Sequence, residues 1–465
     1  MRYPIYTALC FFSQASESAL PSLHPLPPAD PRALLVELYA AATAAADPGP
    51  ALERRLRALG RPERPPRVIA LGKAAIPMAR AAVEVLAGWG LEPADGLVVA
   101  PATVAAPHPR LPLVVGDHPE PGPGSLAAAE ALAEAARGTT EEEEVWVLLS
   151  GGTTSLIGAP EPGLEPAHLA AIYAELLGSG LDITAMNRVR KRFSRWGGGK
   201  LARALRPARV RVYVVSDVIG DDLASIGSGP CVPDPSTAAE VRAAIQAAGL
   251  WERFPGPARR MLVAAESGQT PETPKPGDRA FARVTLELVA SNRLALEAAA
   301  ERAAGLGLVP TVFDAPLAGE AATRGAGLAA TLIQDCARGG IPQPNGAAPR
   351  RCLIWGGETT VTLGPSPTGL GGRCQELALA AARVLDGASS PTALLAAGTD
   401  GRDGPTDAAG AVVDGTTWGA ISSAGRDPAR DLAVHDAYHA LESAGALFRP
   451  GLTGTNVMDV VIGVC

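Results

Sequence analysis

The stretch "RVIALGKAAIPMARAAVEVL", residues 67–86, decides the fold class. It opens on a short aliphatic run at 67–71, turns at Gly72-Lys73 and continues as an Ala-rich segment of helical character. A near-continuous apolar run of this length fits a strand buried on both faces, and a helix following it implies a parallel crossover. The pattern returns in "EVWVLLSGGTTSL", "VRVYVVSDVIGDD", "RCLIWGGETTV" and "TALLAAGTDGRDG". The fold class is therefore α/β, built on open three-layer sheets. In such sheets ligands collect at the carboxyl ends of the strands, where each run places its polar residues.

The chain has 465 residues, more than one ordinary domain, and 47% hydrophobic residues, enough for a large core. A formal net charge of -7 argues against bulk nucleic-acid binding. No run of 18 or more apolar residues exists, so no membrane span is expected. Cys10, Cys231, Cys336, Cys352, Cys374 and Cys465 are scattered without a CxxC pair, a usage expected of a reducing cytoplasm rather than a disulfide framework. Residues 1–28 read as a disordered extension. The Pro/Gly-rich stretches at 267–281 and 338–351 read as exposed connections. The first places a linker at 261–281, between one unit at 29–260 and another at 282–465. The sequence admits a homodimer without specifying it.

Taken in order, the strand ends offer Lys73, Ser150-Gly151-Gly152, Asp217, Ser228-Gly229, Asn292 and Glu358. Arg373 and Glu376 of "GGRCQE" follow, then Asp400, Asp403, Asn456 and Asp459. Glycine-rich turns let backbone N–H groups approach an anion, lysine and arginine neutralise phosphoryl oxygens, and carboxylates hold Mg²⁺ or orient a hydroxyl. Neither a GK[ST]-ending P-loop nor a GxGxxG dinucleotide turn is present. The residues alone support an α/β protein with a polar, anion-binding cleft.

The ordered set "LGKAAIPMA", "SGGTTSL", "MNRVRKRFS", "SDVIGDDLASIGSGP", "SNRLALEAA", "GGETTVT", "GGRCQELAL", "GTDGRDGPTDAAGAVVD" and "GLTGTNVMD" resembles the two-domain glycerate 2-kinases, a family also labelled hydroxypyruvate reductases. The resemblance runs from about residue 30 to the C-terminus. It implies an N-terminal Rossmann-like α/β/α domain, a smaller C-terminal α/β domain and an active site in the cleft between them. It also implies transfer of the γ-phosphoryl group of ATP, with Mg²⁺, to D-glycerate, giving 2-phosphoglycerate. Lys73 and Arg373 would then act on phosphate or transition-state charge, and Asp217 and Asp400 on Mg²⁺ or the acceptor hydroxyl. Lys73→Ala and Arg373→Ala are each expected to abolish most turnover and leave the fold intact. The alternative, a nicotinamide-dependent hydroxypyruvate reductase, lacks its dinucleotide turn.

The segment "MNRVRKRFSRWGGGKLARAL", residues 186–205, concentrates positive charge in an acidic chain. Val189, Phe193 and Trp196 form one apolar stripe of a short helix, and Arg188, Arg192 and Arg195 a second stripe expected to face solvent. Asn187, Arg190 and Lys191 remain as binding candidates, the two cations for a carboxylate or phosphate. Where relatives have histidine and lysine, this chain has Arg192 and Gly197, with a lysine three residues on at Lys200. The loop "SGGTTSL" likewise carries Thr153 and Thr154 in place of a third glycine and a serine.

Overall fold

The computed structural model describes residues 30–181, 183–338, 350–364, 369–388 and 392–465, so the expectation for residues 1–28 and most of that for 338–351 lie outside the described residues. Two six-stranded sheets organise the described residues. The first contains β1 (Arg67–Leu71), β2 (Gly96–Ala100), β3 (Leu113–Val115), β4 (Glu144–Leu149), β5 (Arg209–Val215) and β6 (Val284–Ala290). Its order is β3-β2-β1-β4-β5-β6, every pairing parallel. The helices Ala75–Gly88 and Pro123–Ala136 are two of its crossover helices. Val68 and Ala70 contribute to one core layer, Ile69 and Leu71 to another, as the two-residue period of a strand requires.

The second sheet contains β7 (Val309–Val312), β8 (Arg351–Gly357), β9 (Ala393–Gly398), β10 (Gly410–Asp414), β11 (Leu447–Phe448) and β12 (Asp459–Val464). Its order is β11-β10-β9-β12-β8-β7, and only β7 and β8 run parallel. Helices Ala321–Ala337 and Arg373–Leu385 cover one of its faces. Its other face shares a continuous core with the first sheet, filled in part by helices Pro31–Ala45 and Asn292–Gly305.

The sheets divide the chain differently from the expected bounds. Val284–Ala290 pairs with β5 and closes the first sheet, so the passage between sheets falls after Ala290 rather than in 261–281. Helix Pro31–Ala45 packs on Asn292–Gly305, β9 and β12, and Tyr39 donates from its hydroxyl to the Gly398 carbonyl at 2.7 Å. The stretch 267–281 is not simply exposed. Thr273 is buried and donates to Asp234 Oδ2 at 2.8 Å, while Glu272 pairs with the buried Arg192. The cysteine expectation is also corrected: Cys336 and Cys465 form a disulfide with Cα atoms 6.0 Å apart. Cys465 ends β12's side of the sheet, beside the covering helix that carries Cys336, and so brings together thiols 129 residues apart in the chain.

Candidate active site

The order of the first sheet reverses direction between β1 and β4, and the polar strand ends meet there. Gly72 has φ +118°, and a Cβ on it would fall 2.2 Å from Ser150 Oγ, so glycine is demanded by the approach of the two turns. Ser150 stitches these turns: its hydroxyl accepts from the Ala74 N–H at 3.0 Å and donates to the Leu71 carbonyl at 3.3 Å. It is buried, so its role is to shape the Gly151-Gly152 turn.

Three side chains lie on that turn. A Cβ on Gly151 would sit 1.8 Å from Asp217 Oδ2. A Cβ on Gly152, whose φ is +84°, would sit 3.1 Å from Lys73 Cγ and 3.3 Å from His118 Nε2. Burial pushes the Asp217 carboxyl above its ordinary range, and Lys73 and His118 oppose that shift. Burial and the neighbouring Lys73 hold the His118 imidazole below its ordinary value. His118 was not foreseen. Its segment, "VVGDHPEPGPGS", has the same strand-then-polar order, but β3 is three residues long and only half-buried, which leaves little hydrophobic signal.

The second wall is built from β8, β9, β12 and the start of helix Arg373–Leu385. Arg373 grips Asp459 in a bidentate pair, Nε to Oδ2 at 2.6 Å and Nη2 to Oδ1 at 2.9 Å, and its Nη1 lies 2.7 Å from Glu358 Oε1. Burial raises the Glu358 carboxyl. Arg373 opposes the rise, and the charges of Asp459, Asp217 and Asp400 add to it. Asp217 of the first sheet therefore acts electrostatically on Glu358 of the second. That influence links the group around Asp217, with Lys73 and His118, to the group around Arg373 and Glu358.

Other expected site residues also make contacts within the frame. Asn292 Nδ2 donates to the carbonyls of Val457 and Asp459 at 2.7 and 2.9 Å, holding β12's entry. Asp403 accepts from the N–H groups of Cys374 and Gln375 at 3.2 and 2.8 Å, capping the helix that presents Arg373. Glu376 is buried and meets His435 Nδ1 at 2.8 Å. Asp400 Oδ1 accepts from the Arg402 N–H at 3.0 Å and remains half-exposed. Asn456 is exposed, its Oδ1 accepting from the Met458 N–H at 3.2 Å.

The basic segment divides differently from its helical projection. The helix Ile183–Phe193 ends before Trp196, which packs in a different apolar cluster from Val189 and Phe193. Arg188 is exposed as expected, but Arg192 is buried against Glu272, and Arg195 is partly covered and paired with Glu130. Lys200 Nζ donates to Glu161 Oε2 at 2.5 Å and to the carbonyls of Lys191, Arg192 and Ser194 at 3.2, 3.2 and 2.6 Å. Lys200 thus terminates the helix by satisfying its last carbonyls. Arg190 stacks on Tyr173, 5.0 Å from the ring centroid, and Asn187 is half-buried on the same helix. The Gly198 and Gly199 N–H groups donate to the Ser228 and Gly229 carbonyls at 2.9 and 2.8 Å. Ser228, at φ +63°, shares a 2.9 Å hydroxyl contact with Thr154.

Comparison with known proteins gives the frame a lineage. A domain of unknown function (DUF4147) matches residues 34–263, and the MOFRL family matches residues 351–459. The glycerate 2-kinase of Pyrococcus horikoshii is 37% identical over 85% of this chain and 86% of its own. This chain belongs to the glycerate kinase family. The family's D-glycerate 2-kinase from Thermotoga maritima is 36% identical over 85% of this chain and 90% of its own. The crystal structure of a glycerate kinase from that organism matches with a TM-score of 0.82 at 33% identity, covering 93% of this chain and 99% of that one. A protein of Agrobacterium vitis called a putative hydroxypyruvate reductase is 39% identical over 92% of this chain and 93% of its own.

Proposed function

We propose that this protein transfers the γ-phosphoryl group of ATP to the 2-hydroxyl of D-glycerate, giving 2-phosphoglycerate and ADP. The observation that carries the reading is the electrostatic link between two groups from the two sheets, Lys73 with Asp217 and Arg373 with Glu358. Phosphoryl transfer requires such charges around the migrating group, and their assembly from two sheets favours a site that excludes water when nucleotide and acceptor are both present. Asp217 orients or deprotonates the acceptor hydroxyl, and the Gly151-Gly152 turn offers backbone where side chains would obstruct.

The carboxylates Asp217 and Asp400, both of which act on Glu358, are the donor chemistry that Mg²⁺ requires and would hold it. Among the described residues no group of three His, Cys, Asp or Glu side chains is arranged as a metal cage. Mg²⁺ commonly takes one or two carboxylates and completes its shell with phosphate oxygens and water. When bound it would neutralise charge on the β- and γ-phosphates. No described helix is long and apolar enough to cross a membrane.

The test is ATP-dependent turnover of D-glycerate with the product coupled to enolase. 2-Phosphoglycerate couples directly, and 3-phosphoglycerate only after a mutase is added. Consumption of NADH with hydroxypyruvate, and none of ATP with glycerate, would overturn the reading.

A further inference from the structure

Three cations of the basic segment are buried, and their surroundings differ. Arg192 pairs with Glu272, and Lys200 is enclosed by Glu161 and three carbonyls. Lys191 is 7% exposed, and its ammonium has neither a hydrogen bond nor an ion pair among the described residues. Asp234 and Asp222 are the carboxylates whose charge it feels, with Arg188 opposing them. Both carboxylates are engaged elsewhere, Asp234 by Ser236 and Thr273 and Asp222 by Ala224 and Ser225. A lysine with a buried stem and an ammonium without a protein acceptor is open to a small anion.

Its position joins it to the active site. A Cβ on Gly197 would lie 3.4 Å from Lys191 Cα and 3.3 Å from Ser228 Cβ. Ser228 Oγ in turn meets Thr154 Oγ1 at 2.9 Å, two residues beyond the Gly152 on which Lys73 and His118 rest. Lys191 is thus attached to the backbone beside Ser228, on the side of the Gly151-Gly152 turn.

Resting on the kinase reading above, we infer that Lys191 receives the carboxylate of the acceptor acid, with the Thr154–Ser228 hydroxyl pair alongside it. The acceptor is favoured over the nucleotide by access. A nearly covered ammonium admits a carboxylate, whereas a triphosphate needs the open walls that carry Lys73 and Arg373. Gly197 puts no side chain between the Lys191 backbone and Ser228. The outcome is a preference for 2-hydroxy acids over their uncharged analogues.

The experiment compares the full-length wild type with Lys191→Met and Lys191→Arg on D-glycerate and on its amide, glyceramide. Loss of a buried charge-assisted contact should lower kcat/KM for D-glycerate in Lys191→Met by on the order of 10²–10³-fold. The KM for ATP should stay within about twofold of wild type, and the preference for glycerate over glyceramide should collapse. Lys191→Arg, which keeps the charge, should recover part of that preference. D-glycerate alone should raise the melting temperature of the wild type and not that of Lys191→Met, which separates binding from a folding defect. An unchanged KM for D-glycerate in Lys191→Met, or an increase confined to the KM for ATP, overturns the assignment. A wild type inert toward D-glycerate overturns the kinase reading itself.

Discussion

Asp217 lies directly over Gly151, so close that a methyl group on the glycine would stand 1.8 Å from the carboxylate oxygen. The relationship explains why the turn after β4 begins Ser-Gly-Gly: the first glycine makes room for a side chain delivered by β5. Gly151→Ala must displace Asp217 by an ångström or more. We expect kcat/KM for glycerate to fall by about 10²-fold, with a stability loss of about 1–3 kcal/mol from overpacking. Steady-state kinetics beside a melting curve checks this, and a fully active variant would show that Asp217 is not needed where it lies.

Arg373→Ala should cost stability as well as activity, contrary to the expectation that it would leave the fold intact. Asp459 is 3% exposed and takes both oxygens' hydrogen bonds from Arg373. Removing the guanidinium leaves a buried carboxylate unpaired, at about 2–3 kcal/mol; the partial exposure of Arg373 keeps this below the full cost of breaking a buried pair. Arg373→Ala combined with Asp459→Asn should regain stability and remain inactive. Denaturant unfolding of the single and double variants measures the difference.

Burial pushes the Asp403 carboxyl up to about 7 in the folded protein, against an ordinary value of about 3.9. The folded state therefore binds the proton more tightly, and stability from this group is greatest below pH 4 and declines as pH rises toward 7. Asp403→Asn should flatten the fall in melting temperature between pH 5 and 7. An unaltered slope would mean that Asp403 is already ionised across that range.

Lys200→Met should unfold more readily by about 3–5 kcal/mol, because it strands Glu161 and three helix-terminal carbonyls. Turnover per folded molecule should fall far less than in Lys73→Ala. Chemical denaturation and kinetics at a temperature where both variants are folded distinguish the two.

Reducing the Cys336–Cys465 bond, or replacing Cys336 with serine, should lower stability by about 2–5 kcal/mol, since the bond closes a loop spanning 129 residues. Melting temperatures with and without a thiol reductant test it. Turnover at 25 °C should be unchanged, because the bond joins a covering helix to the far end of β12.

Much of the frame was legible in the sequence because its signals are local. The apolar runs at 67–71, 144–149 and 209–215 are strands, and Gly72 stands where a turn with positive φ is required. Lys73, Asp217 and Arg373 could be named because each follows such a run or a glycine turn. Strand Val284–Ala290 was harder to place, since no local feature states which sheet will accept its edge. His118 was hidden by the shortness of β3.

The same limit governs charge. Periodicity put Arg192 on a solvent face, yet the fold lays Glu272 over it, and Arg190, adjacent in sequence, stacks on Tyr173. The sequence by itself determined the α/β class, the order of the strand-end motifs and the family. Only the tertiary structure decided which of those residues meet at the strand ends and which are paired within the frame. Turn and strand formation depend on a few neighbouring residues, whereas burial and pairing depend on partners such as Asp459, 86 residues from Arg373, that only folding brings within reach.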